Sequence, residues 1–433
     1  MSETGVRGSR VLRSGPEAID ALAELPGGSE LLTLARERRD LALVGGAVRD
    51  LLLGGLPREL DVTVERDSAP LAAELAARLA RHEAGMPETT VHERFGTAVV
   101  DWIHGRVDIA RRRAETYAHP GALPDVRPGT TAEDLARRDF TVNAIALPLG
   151  GPQRGRLQAV EGALEDLAAG RLRVLQARSF IDDPTRLLRL GRYRARLGFE
   201  VEPDTARLAE SALASGALES VSGGRIAAEL WLVTEESDAR AFAALGELGV
   251  LQALALPAAF DEQLLLEAIS LLPPDGIAGV LEMAVLFHPV APPGDDAREA
   301  AGALMERFEF LAETRERVLA AAFDSFALRA GIERAQQPSE LRGLLAGRPV
   351  EAIAIAGALG GRRSPEIARR VSTWLSDLRE VKLEINGADL LAAGMSEGPE
   401  IGRRLERVLD LKLDGELAPG REQELRAALE LPC

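Results

Sequence analysis

Cysteine is almost missing from this 433-residue chain: the one present, Cys433, is its final residue. A disulfide framework and a cysteine-built zinc site are excluded. Lysine is nearly as scarce, with only Lys382 and Lys412, so almost every positive charge is an arginine. Aromatic residues make up 4%, which leaves Leu, Ala and Val to build the cores. The five histidines, His82, His92, His104, His119 and His288, show no metal-ligand spacing, and none is assigned to catalysis. No apolar run reaches the ~18 residues a membrane span needs, and no apolar leader precedes the first helix. A cytoplasmic protein without membrane partners is the expectation.

What is present first argues against a nucleic-acid partner, because the net charge is -16. Its distribution weakens that objection. Residues 101–200 hold 17 arginines against 13 acidic residues. The length implies about three or four domains. Residues 1–27 read as a disordered or helical extension, with no periodicity up to 16. From 28 to 150, short β-like runs alternate with helical ones. "LALVG" and "LDVTVE" read as strands, "GAVRDLLLG" and "APLAAELAARLAR" as helices, and "TAVVDWIHGRVDIAR" as a hairpin turning at His104-Gly105. That is an α/β head with a mixed sheet. Past 150 the apolar spacing settles near 3.6 and strand signals nearly vanish. The helical part divides at about 151–250, 251–350 and 351–433, punctuated by Pro273-Pro274 and "APPGDD" at 291–296.

Three features carry chemistry. Glu59 and Asp61 sit two residues apart in a strand pattern, so their side chains share a face. A third acid, Asp108, lies on the hairpin expected beside that strand. Clustered carboxylates repel unless cations lie between them, and hard divalent ions with oxygen ligands are the usual remedy. Taken alone, Glu-x-Asp also describes the wet face of an edge strand. The glycine turn Gly45-Gly46 allows close backbone approach to an anion, with the Arg49 fork one turn on; a bare strand-to-helix turn has the same look. Asp183, Arg186, Arg189 and Arg192 step by three, one slowly turning stripe on a helix. Carboxylate acceptors and guanidinium donors can match the edges of C and A. An amphipathic helix with an i,i+3 ion pair is the plainer reading.

Together these stretches resemble one family: the class II tRNA nucleotidyltransferases and bacterial poly(A) polymerases of the polymerase-β-like superfamily. "GGAVRDLLLG" is similar to the family's opening motif, and "ELDVTVE" stands where the family carries Asp-x-Asp. The likeness continues through "HERFGTAVV", "VDIARRRAETYAHPGALP", "RRDFTVNAIAL", "SFIDDPTRLLRLGRYRARLGF", "SGGRIAAEL" and "EINGADLLAAGMSEGPEIGRRLERVL". It spans most of residues 40–415 and is densest over 41–230.

The resemblance implies a polymerase-β-like head followed by an all-helical neck, body and tail. It implies addition of C and/or A from CTP or ATP to tRNA 3′ ends, with poly(A) synthesis, or addition of CC or A alone, as alternatives. It implies two Mg²⁺ ions on Glu59, Asp61 and Asp108, and a triphosphate on Gly45, Gly46 and Arg49. Arg138 would bind nucleotide, Asp139 and Asn143 would shape the sugar side, and Asp183 and Arg186 would face the base, with Arg189 and Arg192 further along the same helix. "SFIDDPTR" and "AHPGALP" look closer to the branch that includes A-adding enzymes. The arginines at 111–113 and 403–407 could grip RNA phosphates or lie on solvated faces. One position departs from the pattern: Glu59 replaces the first metal aspartate, which moves its oxygens by about 1.5 Å. A compensated site, a slow enzyme and a non-catalytic RNA-binding homologue all follow from that change; the matching acids and arginines around it favour activity.

Overall fold

The computed structural model describes residues 10–82, 85–92, 96–236, 240–257, 259–289 and 294–431. Residues 93–95 of the "HERFGTAVV" stretch, the prolines of "APPGDD" and Cys433 lie outside them. Two compact units form. One comprises residues 1–222 with 247–254, the other 223–246 with 255–433.

The first unit opens on two helices, α1 (Gly15–Ala23) and α2 (Gly28–Glu37). The start of α1 falls in a stretch whose sequence shows no periodicity. Its start is a capping box, in which Ser14 Oγ accepts from the Glu17 amide and Glu17 bonds back to the Ser14 amide. Ala18, Ile19 and Leu22 are its buried stripe.

Next come β1 (Ala42–Val44), α3 (Gly46–Leu52), β2 (Leu60–Val64) and α4 (Ser68–Leu79). Then follow β3 (Glu88–His92), β4 (Thr97–Trp102), β5 (Gly105–Arg111), a side hairpin of β6 (Arg113–Thr116) and β7 (Asp125–Pro128), and α5 (Thr131–Ala136). A 3₁₀ turn at Thr141–Asn143, β8 (Ile145–Pro148) and β9 (Gln158–Ala159) complete the sheet, so its last strand lies past residue 150. The strand order is β3-β4-β5-β2-β1-β8-β9. Only β2 and β5 run parallel; the other pairs in this sheet are antiparallel.

Alternation sets the register. Val62, Val64, Val107 and Ile109 are at most 2% exposed, and α4 packs across β3, β4 and β5. Burying each such side chain is worth ~1.5–3 kcal/mol. A one-residue slip would forfeit that and push Asp61 and Asp108 into the core. The hydrophobic pattern thereby fixes which face presents the acids.

After the sheet come α6 (Ala163–Ala169), β10 (Arg171–Leu172), α7 (Ser179–Asp182), α8 (Arg186–Leu197), β11 (Glu200–Val201) and α9 (Pro203–Ala214). The second unit is helical throughout its described residues. Helices Ala278–Phe287 and Val350–Gly361 are apolar on nearly all sides and buried accordingly. Near the end of the chain, Ile385, Leu390, Val408 and Ala428 form a separate small core. No helix among the described residues is long and apolar enough to cross a membrane.

Candidate active site

Asp61 and Asp108 are register partners in the parallel pair β2–β5, so both carboxylates leave the sheet on the same side. Glu59 is not within the strand as the alternation suggested; it stands one residue before β2 begins. It still reaches the pair. One carboxylate oxygen from each of the three lies within 4.8 Å of the others. Burial, then the charge of Glu59, pushes the Asp61 carboxyl up to about 7, with Asp108 adding to the rise and Arg138 opposing it. Burial and Asp108 also raise Glu59, against the pull of Arg106. Three crowded oxygen donors that resist sharing negative charge fit a hard divalent cation.

The wall beside them is the glycine turn. Gly45 has φ +70°, and a Cβ there would lie 2.6 Å from Arg138 Nη1 and 3.6 Å from Asp61 Oδ2. Glycine is required both for the backbone angle and for the approach of Arg138. Arg138 is held by Asp134 Oδ2 at 3.2 Å, while its buried Nε has no hydrogen-bond partner.

Arg49 is enclosed beside the same turn: it is 1% exposed, and its Nη2 lies 3.5 Å from where a Cβ on Gly46 would stand. Its Nε donates to Asp50 Oδ1 at 2.8 Å and its Nη1 to Asn143 Oδ1 at 2.6 Å. Asn143 in turn donates to Asp139 Oδ1 at 3.0 Å. Arg189 donates twice to Asp139 Oδ2, and Arg196 reaches Asp50 Oδ2 at 3.0 Å. Burial alone would raise Asp139; Arg189, helped by Asn143 and the Phe140 amide, outweighs it and holds the carboxyl well below its usual range. Tyr193 lies at the centre, its ring 5.3, 5.6 and 5.2 Å from the guanidinium carbons of Arg49, Arg189 and Arg192. Arg49 thus ties α3 to the 3₁₀ turn and to α8.

The stripe at 183–192 is not one helix face. Asp183 sits between α7 and α8, where its Oδ1 accepts from the Thr185 amide at 3.3 Å and from Thr185 Oγ1 at 2.7 Å. Arg186 opens α8 and donates to Ser179 Oγ at 2.7 Å and to the Arg137 carbonyl at 2.8 Å. Its Nε lies 3.9 Å from Asp183 Oδ2. The pairing of acid and arginine survives; its geometry comes from a capping turn. The run Arg111–Arg113 is engaged within the head, meeting Asp67, Glu65 and Glu115 at 3.8, 3.0 and 2.9 Å. Arg403 and Arg404 both pair with Glu400.

Sequence reasoning passed over Asp50, Arg106, Asp134, Tyr193 and Arg196. A signal existed for some of them. Asp50 directly follows Arg49, and Tyr193 and Arg196 lie four residues beyond Arg189 and Arg192 on the same helix.

A mixed sheet that sets three acids beside a glycine turn defines the class: the head of a nucleotidyltransferase. Residues 41–173 match the Poly A polymerase head domain. The chain is 32% identical over 397 residues to the CC-adding tRNA nucleotidyltransferase of Deinococcus radiodurans, covering 90% of each. It is 33% identical over 420 residues to the A-adding tRNA nucleotidyltransferase of Geobacter sulfurreducens, covering 90% of this chain and 44% of that protein. Against the A-adding relative from Halalkalibacterium halodurans it is 41% identical over 227 residues, 51% of each chain. The chain therefore spans about half the length of these two A-adding relatives. Among solved structures, a CCA-adding enzyme in apo form superposes with a TM-score of 0.73 at 27% identity, covering 97% of this chain and 99% of that one. The Thermotoga maritima CCA-adding enzyme complexed with tRNA gives 0.66 at 25%, covering 97% and 98%. This chain belongs to the class II tRNA nucleotidyltransferase family.

Proposed function

We propose that this protein is a cytoplasmic, template-independent nucleotidyltransferase that adds C, A or both to tRNA 3′ ends from CTP and ATP. The observation that carries the reading is the convergence of Glu59, Asp61 and Asp108 beside the Gly45–Arg138 wall. Two divalent ions, Mg²⁺ by their oxygen preference, would supply Lewis acidity toward the attacking hydroxyl and the leaving phosphate oxygen. Glu59, Asp61 and Asp108 would hold them. Arg49, Arg138 and the Gly45-Gly46 turn receive the triphosphate, and Arg138 brings a charge that Asp134 already aims. Asp139 and Asn143 shape the sugar side from behind, through Arg189 and Arg49. Asp183 and Arg186 offer an acceptor and donors at the base edge in place of a template strand, with Arg189 and Arg192 further along. The helical neck, body and tail would take the acceptor arm by shape and backbone charge.

Incubation with Mg²⁺, labelled CTP or ATP, and tRNA transcripts ending before CCA, after C or after CC tests this reading. Extension of any of them by the missing C or A is the expected result. No extension on all three would leave a non-catalytic RNA-binding homologue, and long A tails on unrelated RNA would make it a poly(A) polymerase. Addition of A alone, to transcripts ending in CC, is a second reading. It is favoured by the A-adding names of two relatives at 33% and 41% identity.

A further inference from the structure

The carboxylate cluster already contains a cation of the protein's own. Arg106 precedes Asp108 by two residues on β5, so its side chain emerges on the same face. Its Nε lies 3.1 Å from Asp108 Oδ1 and 3.8 Å from Glu59 Oε2. These are two of the three carboxylates that would hold the divalent ions. A guanidinium keeps its charge at any physiological pH, so this contact does not dissolve by proton loss. It must be displaced. Asp101 stands directly across the β4–β5 ladder from Arg106, and its Oδ1 is 3.8 Å from Nη1. That carboxylate lies outside the cluster and offers the guanidinium a second seat.

We propose that Arg106 is an internal counter-ion. It neutralises the cluster when no divalent ion is bound, and yields to the metal by turning toward Asp101. The inference rests on the metal-binding reading above and adds to it an exchange: entry of the ion and release of Arg106 are one equilibrium. At 46% side-chain exposure the displaced ion pair is a modest one, so the exchange tunes affinity without abolishing it.

Mn²⁺ titration followed by electron paramagnetic resonance of the free ion reads this without reference to turnover. In full-length protein, Arg106→Ala and Arg106→Gln are each expected to tighten Mn²⁺ binding by roughly twofold to fivefold. Arg111→Ala, an equal charge change at the far end of β5, should leave the affinity near wild type. Affinity unchanged or weakened in both Arg106 variants overturns the proposal. So does an equal gain in Arg111→Ala, which would mean that charge alone is felt. Asp61→Ala separates the two levels. If wild type binds no more Mn²⁺ than Asp61→Ala, the metal reading itself fails, and the exchange falls with it. Far-UV circular dichroism checks that each variant is folded, and Gln at 106 keeps most of the side chain's bulk should Ala disturb the hairpin.

Discussion

Asp139 accepts two hydrogen bonds from Arg189, at 2.8 and 2.6 Å, across fifty residues of chain. The contact joins the segment just before the 3₁₀ turn to α8 and continues through Asn143 and Arg49 to the glycine turn. Asp139 is 6% exposed, so removing its charge takes a buried counter-charge away from Arg189. Asp139→Asn is expected to cost about 3 kcal/mol of stability in urea unfolding at neutral pH. The wild-type contribution is present above the ordinary aspartate range and disappears only as pH falls through the depressed native value. A change below about 0.5 kcal/mol, the usual size for an unimportant surface substitution, would show that the network is not cohesive.

Gly45→Ala probes the wall. The added methyl meets Arg138 Nη1 at 2.6 Å in a backbone conformation that L-residues avoid. Arg138 has to move, and ångström-scale misplacement costs ~100-fold in rate. The expected loss lies in kcat/KM for the nucleotide, with tRNA affinity preserved. Normal nucleotide kinetics in this variant would remove Arg138 from the site.

Asp61→Ala is expected to abolish nucleotide incorporation while leaving tRNA binding largely intact. Glu59→Gln keeps the length of the departing residue and deletes its charge, so it asks whether position 59 takes part. A fall of ~100-fold or more is expected, in line with the loss of a transition-state electrostatic contact. Gel-shift and single-turnover assays on the same preparations decide both. Undiminished incorporation by Glu59→Gln would leave Asp61 and Asp108 as the sufficient pair.

A pH signature should come from the helical unit. Glu282, on helix Ala278–Phe287, is 4% exposed and its Oε1 has no hydrogen-bond partner. Burial, then the nearby Glu236, pushes its carboxyl from 4.5 up to about 8. The native state therefore holds this proton more tightly than the unfolded chain does. The resulting stability is whole below about 4.5 and is lost as pH climbs to about 8. Glu282→Gln should flatten that slope and stabilise the unit at pH 8 by on the order of 3 kcal/mol. Parallel pH–stability curves for the variant and wild type would refute the assignment.

Much of this protein was legible in one dimension because its cues are local. Period-2 alternation marks β2 and β5, a glycine pair marks the turn before α3, and spacing near 3.6 marks the helical remainder. Those patterns, with motifs in order, pointed to the mixed-sheet head, the helical body and the three acids. What they could not supply is any relation between distant residues. That Asp61 faces Asp108 depends on parallel pairing of two strands separated by a helix and a hairpin. The burial of Arg49, the capping turn that takes Asp183 off the helix, and the placement of Arg106 among the acids depend on side chains contributed by other elements. Sequence determined which groups were available, through charge, reach and backbone freedom. Tertiary packing alone decided which of them meet, because an ion pair needs its partner within a few ångströms and chain spacing says nothing of that distance once the strands have folded back.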